Sequence, residues 1–382
     1  MQPRFLKASA TEPKLESLQY IRAIAAWAVV YYHATVYLHL ITGFKGYFDL
    51  VQGRPGVYGV TAFFVVSGYL MASIAPKYDA KTFLVHRILR IYPIYWVCVV
   101  FAWIFYKLLW QATLPNTDWV PNLSHMLYGG DAYNLLRLTL VPVVFPDAPL
   151  GIEWTLLYET TFYVLVFTLI VAGQIRNLHF WAIGWLLLIV ATTLLRPEWQ
   201  ANHTRPTLAT FLFQVPNVAF ILGMLGARYQ QKLNACVLLA TGVILMALIE
   251  FFSSQWAMHQ VCAGIAAIVL GIVGLERRGW LGYSSTLARL GAWSYALYLL
   301  HVLTIFTVLK LTPGWAPLAQ LCVIAGFALL LCFLFGKIDV SSYRGLKRAF
   351  DGGPIAAKTA LTTLFLLMFG LVGAAGIAAI RA

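Results

Sequence analysis

Apolar residues collect in eleven stretches, near 17–40, 57–75, 88–110, 152–173, 178–195, 207–227, 233–252, 258–274, 289–311, 315–336 and 357–380, and polar, Gly- or Pro-bearing segments separate them. A helix rises about 1.5 Å per residue, so a run of roughly 20 apolar residues crosses the hydrocarbon layer of a bilayer. A backbone in lipid must satisfy its own hydrogen bonds, which makes helices the expected elements. The pattern predicts an all-α, polytopic integral membrane protein with ten to eleven transmembrane helices in a single bundle. The runs at 178–195 and 258–274 are the shortest, and these two are the weakest candidates for spans.

Three stretches of chain follow from this frame. Residues 1–16 form a polar tail, 17–345 the main transmembrane domain, and 346–382 a basic loop followed by one extra helix rich in Ala, Leu and Gly. The one long outer connection is 111–151, which carries Trp119, Tyr128 and Tyr133. Loops of that length in compact domains are usually functional or partly structured. Its apolar middle, Asn134 to Phe145, is expected to dip back toward the membrane.

Composition agrees with the pattern: 61% of residues are apolar and 11% charged, with a mean hydropathy of +0.77. A net charge of +13 raises the question of nucleic acid, and its distribution answers it. With the N-terminus in the cytoplasm, most Lys and Arg fall beside inner segments, among them Arg4, Lys7, Lys14, Lys77, Lys81, Arg228, Lys232, Arg277, Arg278, Arg344, Lys347 and Arg348. This is the positive-inside pattern, so no nucleic-acid partner is expected and the bilayer itself is the partner. The basic start leads into the first apolar run without a small-residue cleavage site, and that run reads as a retained anchor. The five cysteines sit in apolar runs without a C-x-x-C pair, which supports neither a disulfide framework nor a metal. Phosphate-loop, nucleophile-elbow, dinucleotide-binding and H-E-x-x-H motifs are all missing.

The chemistry concentrates at charges inside the apolar runs. Arg22 and His33 are eleven positions apart, about 1,100° of helical rotation and some 20° past three turns, so they share a face about 16 Å apart along the axis. An ionisable residue at such depth is costly and marks a functional site by default; a buried structural histidine with a snorkelling arginine is the competing reading. Glu159 is a second intramembrane charge. Arg87 and Arg90 are three apart on one helical face, where two guanidinium groups suit phosphates but also serve as ordinary membrane anchors. Ser294, Tyr298 and His301 fall on one face of a later helix, and Ser67 lies beside Gly68, where close helix packing is the plainer explanation. His39, His125, His203 and His259 are expected near the outer surface with no role.

Five segments carry a resemblance. Leu18–His33 with its R-x10-H spacing, Phe63–Met71 (FFVVSGYLM), Arg87–Pro93 (RILRIYP), Trp154–Tyr163 (WTLLYETTFY) and Leu290–His301 (LGAWSYALYLLH) occur in the order of the signatures of the membrane-bound acyltransferase-3 family. The resemblance covers about residues 15–345, and is strongest to the group acting on bacterial exopolysaccharide and other surface carbohydrates. Tyr158 and Thr160 stand where small or acidic residues often flank the motif glutamate, which bears on the acceptor more than on the chemistry.

The resemblance implies a bacterial inner-membrane enzyme, N-terminus cytoplasmic, that moves an acetyl group from cytoplasmic acetyl-CoA to a hydroxyl of a carbohydrate acceptor, with no metal. Arg22, Arg87 and Arg90 would bind acyl-CoA. His33 would be the general base, since imidazole titrates near neutrality, and Glu159 would hold its tautomer as a triad acid does. Ser67, Tyr92, Trp154, Ser294, Tyr298 and His301 are candidate cavity-lining residues. Two other readings stay open at this point: a transporter or flippase of lipid-linked sugars, and an acyltransferase for a small peptide, antibiotic or lipid. No oligomeric state follows from the sequence.

Overall fold

In the computed structural model the described residues are 15–46, 54–105, 138–142, 150–200, 207, 210–249 and 254–381. The tail at 1–14, most of the 111–151 connection with Trp119, Tyr128 and Tyr133, and His125 and His203 lie outside them. Eleven α-helices are described: α1 (Ser17–Thr42), α2 (Arg54–Ile74), α3 (Ala80–Phe105), α4 (Trp154–Val171), α5 (Leu178–Leu195), α6 (Pro216–Tyr229), α7 (Ala235–Ala247), α8 (Ser254–Arg277), α9 (Ser285–Leu311), α10 (Pro317–Asp351) and α11 (Ile355–Arg381). Each overlaps one of the eleven apolar runs, and the described residues contain no strand. The protein is an all-α polytopic membrane protein.

Nine of the described helices are long and apolar enough to cross a membrane. The sequence pattern misjudged which are short: α5 and α8 are full-length, whereas α6 has 14 residues and α7 has 13. The chain before α6 is irregular, with a 3-10 turn at Phe211–Phe213 and an extended Gln214. Side-chain amides replace the missing helical bonds there. Gln200 donates to the Phe213 carbonyl and accepts from the Val215 N–H, Gln214 donates to the Trp199 carbonyl, and Asn217 donates to the Phe211 carbonyl. Non-helical backbone at membrane depth survives only when protein groups satisfy it in this way.

A second difference concerns the C-terminal third. No loop opens at residue 346; α10 runs unbroken for 35 residues to Asp351, passing through Gly345 and ending only at Gly352. Contacts to α3 hold this extension: Asp339 pairs with Arg90, and Asp351 lies 2.7 Å from Nε2 of His86. The following α11 packs on α3 through Phe365 against Tyr92.

Basic residues of distant segments meet at one end of the bundle, where Lys81 donates to Thr359, Lys347 lies over the ring of Tyr78 and Arg277 donates to Tyr69. There the start of α1 is capped by Glu276 at the end of α8, whose carboxylate accepts from the N–H groups of Glu16 and Ser17 and from the Ser17 hydroxyl. This satisfies donors that a helix start leaves open. At the other end of α1, Gly43 adopts a left-handed φ of 74° and its N–H bonds back to His39, closing the helix. Helix α9 is the centre of the bundle: every residue from Ala296 to Leu309 is buried.

Small residues set the closest crossings. A methyl group added at Gly68 of α2 would overlap the Phe220 carbonyl of α6, and one at Gly223 of α6 would overlap the Val65 carbonyl of α2. Gly291 of α9 stands in the same relation to Gln19 of α1. Without a hydrophobic drive between helices in lipid, this close backbone approach supplies the packing.

Candidate active site

A cavity of about 240 Å³ opens among α1, α2, α3, α4, α9 and α10. Its polar lining consists of Arg22 from α1, Ser67 from α2, Arg87 and Arg90 from α3, Thr155, Glu159 and Tyr163 from α4, Tyr295 and Tyr298 from α9, and Tyr343 from α10. Phe63, Phe64 and Leu70 make an apolar wall. The three arginines and Glu159, spread over 138 positions of sequence, therefore share one chamber.

The guanidinium groups are not equivalent. Nη1 of Arg90 donates to both oxygens of Asp339 at 2.9 Å, and the group also lies 5.7 and 5.6 Å from the ring centres of Tyr295 and Tyr343. Asp339 is 2% exposed, so this is a buried pair with an aromatic surround. Arg87 makes no ion pair among the described residues. Its Nε is buried without a hydrogen-bond partner, and the group faces the rings of Phe83 and Tyr163 at 6.0 Å. Arg22, half-buried on the cavity wall, likewise has no hydrogen bond to a described residue, while Arg90, Glu159 and Asp339 act on it electrostatically. Arg22 and Arg87 are the open cations of the chamber.

Glu159 accepts a hydrogen bond from the hydroxyl of Tyr163, one turn on, at 2.5 Å. No hydrogen bond joins it to His33, so the triad-like pairing expected from the sequence is not the one the fold makes. His33 turns to α9 instead: its Nδ1 lies 2.9 Å from Nε2 of His301, and the ring stacks on Tyr37 at 6.0 Å. Tyr298 connects the two regions. Its ring lines the cavity, its hydroxyl bonds to Thr155 at 2.8 Å, and its backbone carbonyl is 2.7 Å from Nδ1 of His301.

The remaining candidates separate clearly. Ser67 has a buried hydroxyl without a partner on the cavity wall, while its neighbour Gly68 makes the α2–α6 crossing. Ser294 is fully buried and donates to the Gly291 carbonyl of its own helix, which reads as packing. Tyr92 points to the connection before α4, donating to the Thr139 carbonyl at 2.6 Å. Leu140 and Val141 are buried there, and the Leu140 carbonyl accepts from Thr160. The part of the outer connection at 138–142 thus reaches the middle of α3 and α4. Trp154 packs edge-on against Phe64 and Tyr158 and does not line the cavity. His259 lies beside Thr193 on α5.

Sequence reasoning passed over Asp339, Tyr163, Tyr295 and Tyr343. Asp339 had a usable signal. It is one of only 14 acidic residues, and the rule that flagged Glu159 flags it as soon as the last long helix is extended past 336.

Comparison with known proteins gives this geometry a context. The acyltransferase domain of the acyltransferase-3 family matches residues 15–337. The matched stretch holds Arg22, His33, Arg87, Arg90, Glu159 and His301, and ends just short of Asp339 and Tyr343. The chain is 27% identical over 325 residues to the acyltransferase MdmB of Streptomyces mycarofaciens, covering 76% of this chain and 79% of that protein. It is 27% identical over 273 residues to the exopolysaccharide production protein ExoZ of Rhizobium meliloti, covering 67% and 78%. A shorter match, 28% over 168 residues, covers 42% of this chain and 24% of a putative peptidoglycan O-acetyltransferase, YrhL, of Bacillus subtilis. No solved structure matches. None of these matches supports the transporter reading.

Proposed function

Since the chain belongs to the acyltransferase-3 family and is a membrane-embedded acyltransferase, we propose that it transfers an acetyl group from acetyl-CoA to a hydroxyl of a cell-surface carbohydrate. One observation carries this reading: α1 places Arg22, which has no hydrogen bond to a described residue, in a cationic chamber near the basic face and holds His33 three turns further along, beside His301.

The chamber fits a phosphorylated thioester. Arg22 and Arg87 offer guanidinium donors that no carboxylate of the described residues occupies, and such groups bind phosphate oxygens strongly. Ser67 adds an O–H donor on the otherwise apolar wall. Arg90, neutralised by Asp339, shapes the chamber and contributes less to anion binding than the sequence implied. The donor supplies an activated acyl carbon. His33 takes the proton of the acceptor hydroxyl as the ester C–O bond forms and the C–S bond breaks, and then returns that proton to the departing sulfur. The products are the ester and free CoA thiol.

The acceptor class rests on the names of two relatives, one tied to exopolysaccharide production and one to peptidoglycan O-acetylation. The basic face is read as cytoplasmic in a bacterial inner membrane, with the N-terminus inside, from the positive-inside distribution. Lys77→Cys in intact cells should then resist a membrane-impermeant thiol reagent, and ready labelling would reverse the orientation.

The decisive experiment incubates the purified protein in nanodiscs with acetyl-CoA and carbohydrate extracted from the host surface. Free thiol release and an added acetyl mass on the carbohydrate are expected. Thiol release that requires a lipid or a peptide fraction instead would overturn the carbohydrate reading.

A further inference from the structure

The histidine pair contains an assignment that the proposed function does not use. Tyr298 presents a backbone carbonyl 2.7 Å from Nδ1 of His301. A carbonyl only accepts, so that nitrogen carries a hydrogen. His301 is 1% exposed, and no carboxylate of the described residues is hydrogen-bonded to it, so an extra charge on this ring would be costly. The neutral ring therefore has its single proton on Nδ1 and a bare lone pair on Nε2. That lone pair faces Nδ1 of His33 at 2.9 Å. Two lone pairs at this separation would repel, so Nδ1 of His33 must be the donor. Turning either ring over would put a C–H where a nitrogen now bonds.

We propose that His301 is a positioning residue that locks His33 in its Nδ1–H tautomer, leaving Nε2 of His33 as the basic nitrogen. The relay runs from the Tyr298 carbonyl through His301 to His33. When Nε2 of His33 takes a proton, the Nδ1–H of the resulting imidazolium already points at the lone pair of His301. The neutral His301 thus does for His33 what a carboxylate does in a Ser-His-Asp triad. This explains why Glu159 need not reach His33. The catalytic consequence rests on His33 being the base; the tautomer itself does not.

The test reads the tautomer directly. Protein labelled with ¹⁵N-histidine is reconstituted in lipid, and the His33 signals are assigned by difference from His33→Gln. Wild type should show a protonated, pyrrole-type Nδ1 and a bare, pyridine-type Nε2 at His33. In His301→Leu the ring should move toward the Nε2–H form that histidine favours in water. A protonated Nε2 at His33 in the neutral wild-type protein would overturn the proposal, and so would an unchanged pattern in His301→Leu.

Kinetics give a second readout. His301→Leu should lower kcat about 10²-fold, the lower end of what general-base assistance provides, with the donor KM unchanged. His301→Gln can place its carbonyl oxygen near the former Nε2, and should keep the His33 tautomer and recover most of the rate. Equal losses in the two variants, with the tautomer intact in His301→Gln, would defeat the positioning role. Full activity in His33→Asn would remove the base reading instead, and the spectra would still decide the tautomer.

Discussion

Arg87 and Arg90 look alike in sequence, three positions apart at the mouth of one helix, yet the structure gives them opposite expected phenotypes. Arg90 donates twice to Asp339 at 2.9 Å, and the carboxylate is 2% exposed. Arg90→Ala leaves that carboxylate buried without its partner, and breaking a buried pair from one side costs about 3–5 kcal/mol. Asp339→Asn strands the guanidinium in the same way and should cost a similar amount. Replacing both at once, as in Arg90→Met with Asp339→Leu, removes the stranded charge; such exchanges are often neutral or stabilising, so the double variant should recover most of the melting temperature. Arg87 has no ion pair among the described residues to lose, and Arg87→Ala should leave stability within about 1 kcal/mol of wild type. Its loss should appear in donor binding. A charge-assisted hydrogen bond to a phosphate is worth about 1.5–3 kcal/mol, which at about 1.4 kcal/mol per decade is roughly a 10- to 100-fold rise in the donor KM. Thermal melting in detergent and initial rates against acetyl-CoA concentration separate the two effects. If Arg90→Ala and Asp339→Asn both melt with the wild type, the buried pair does not hold α10 on α3. If Arg87→Ala leaves KM unchanged, Arg87 is a membrane anchor.

Other substitutions test the base and the frame. His33→Asn should lower kcat by about 10²–10⁴ with the fold intact; a rate near wild type, measured as thiol release, would place the base elsewhere. Gly68→Ala must push the Phe220 carbonyl aside and should cost about 1–3 kcal/mol as overpacking, while Gly184→Ala, with nothing within 4 Å of the new methyl, should melt with the wild type. Equal behaviour of the two glycine variants would refute the close α2–α6 crossing. Glu276→Ala removes the cap from the start of α1 and should lower stability by about 0.5–2 kcal/mol, whereas an unchanged melting curve would mean that solvent satisfies those donors.

The sequence alone determined the all-α class and where the apolar helices with their basic ends fall along the chain, because these are local matters. A continuous apolar run in lipid has no alternative to internal hydrogen bonding, and a Lys or Arg beside it records which side it flanks. The shared face of Arg22 and His33 also followed from helical spacing. What only the tertiary structure decided is which partner each charge finds. Arg90 meets an aspartate 249 positions away and His33 a histidine 268 positions away, and no local period encodes either meeting. The short α6 belongs with these, since its missing turns are replaced by amides of Gln200, Gln214 and Asn217 that only the folded chain brings together. Apolar patterning sets where the backbone must be helical. The buried polar groups then pair with whatever the packed helices place within about 3 Å, and that distance is a property of the bundle.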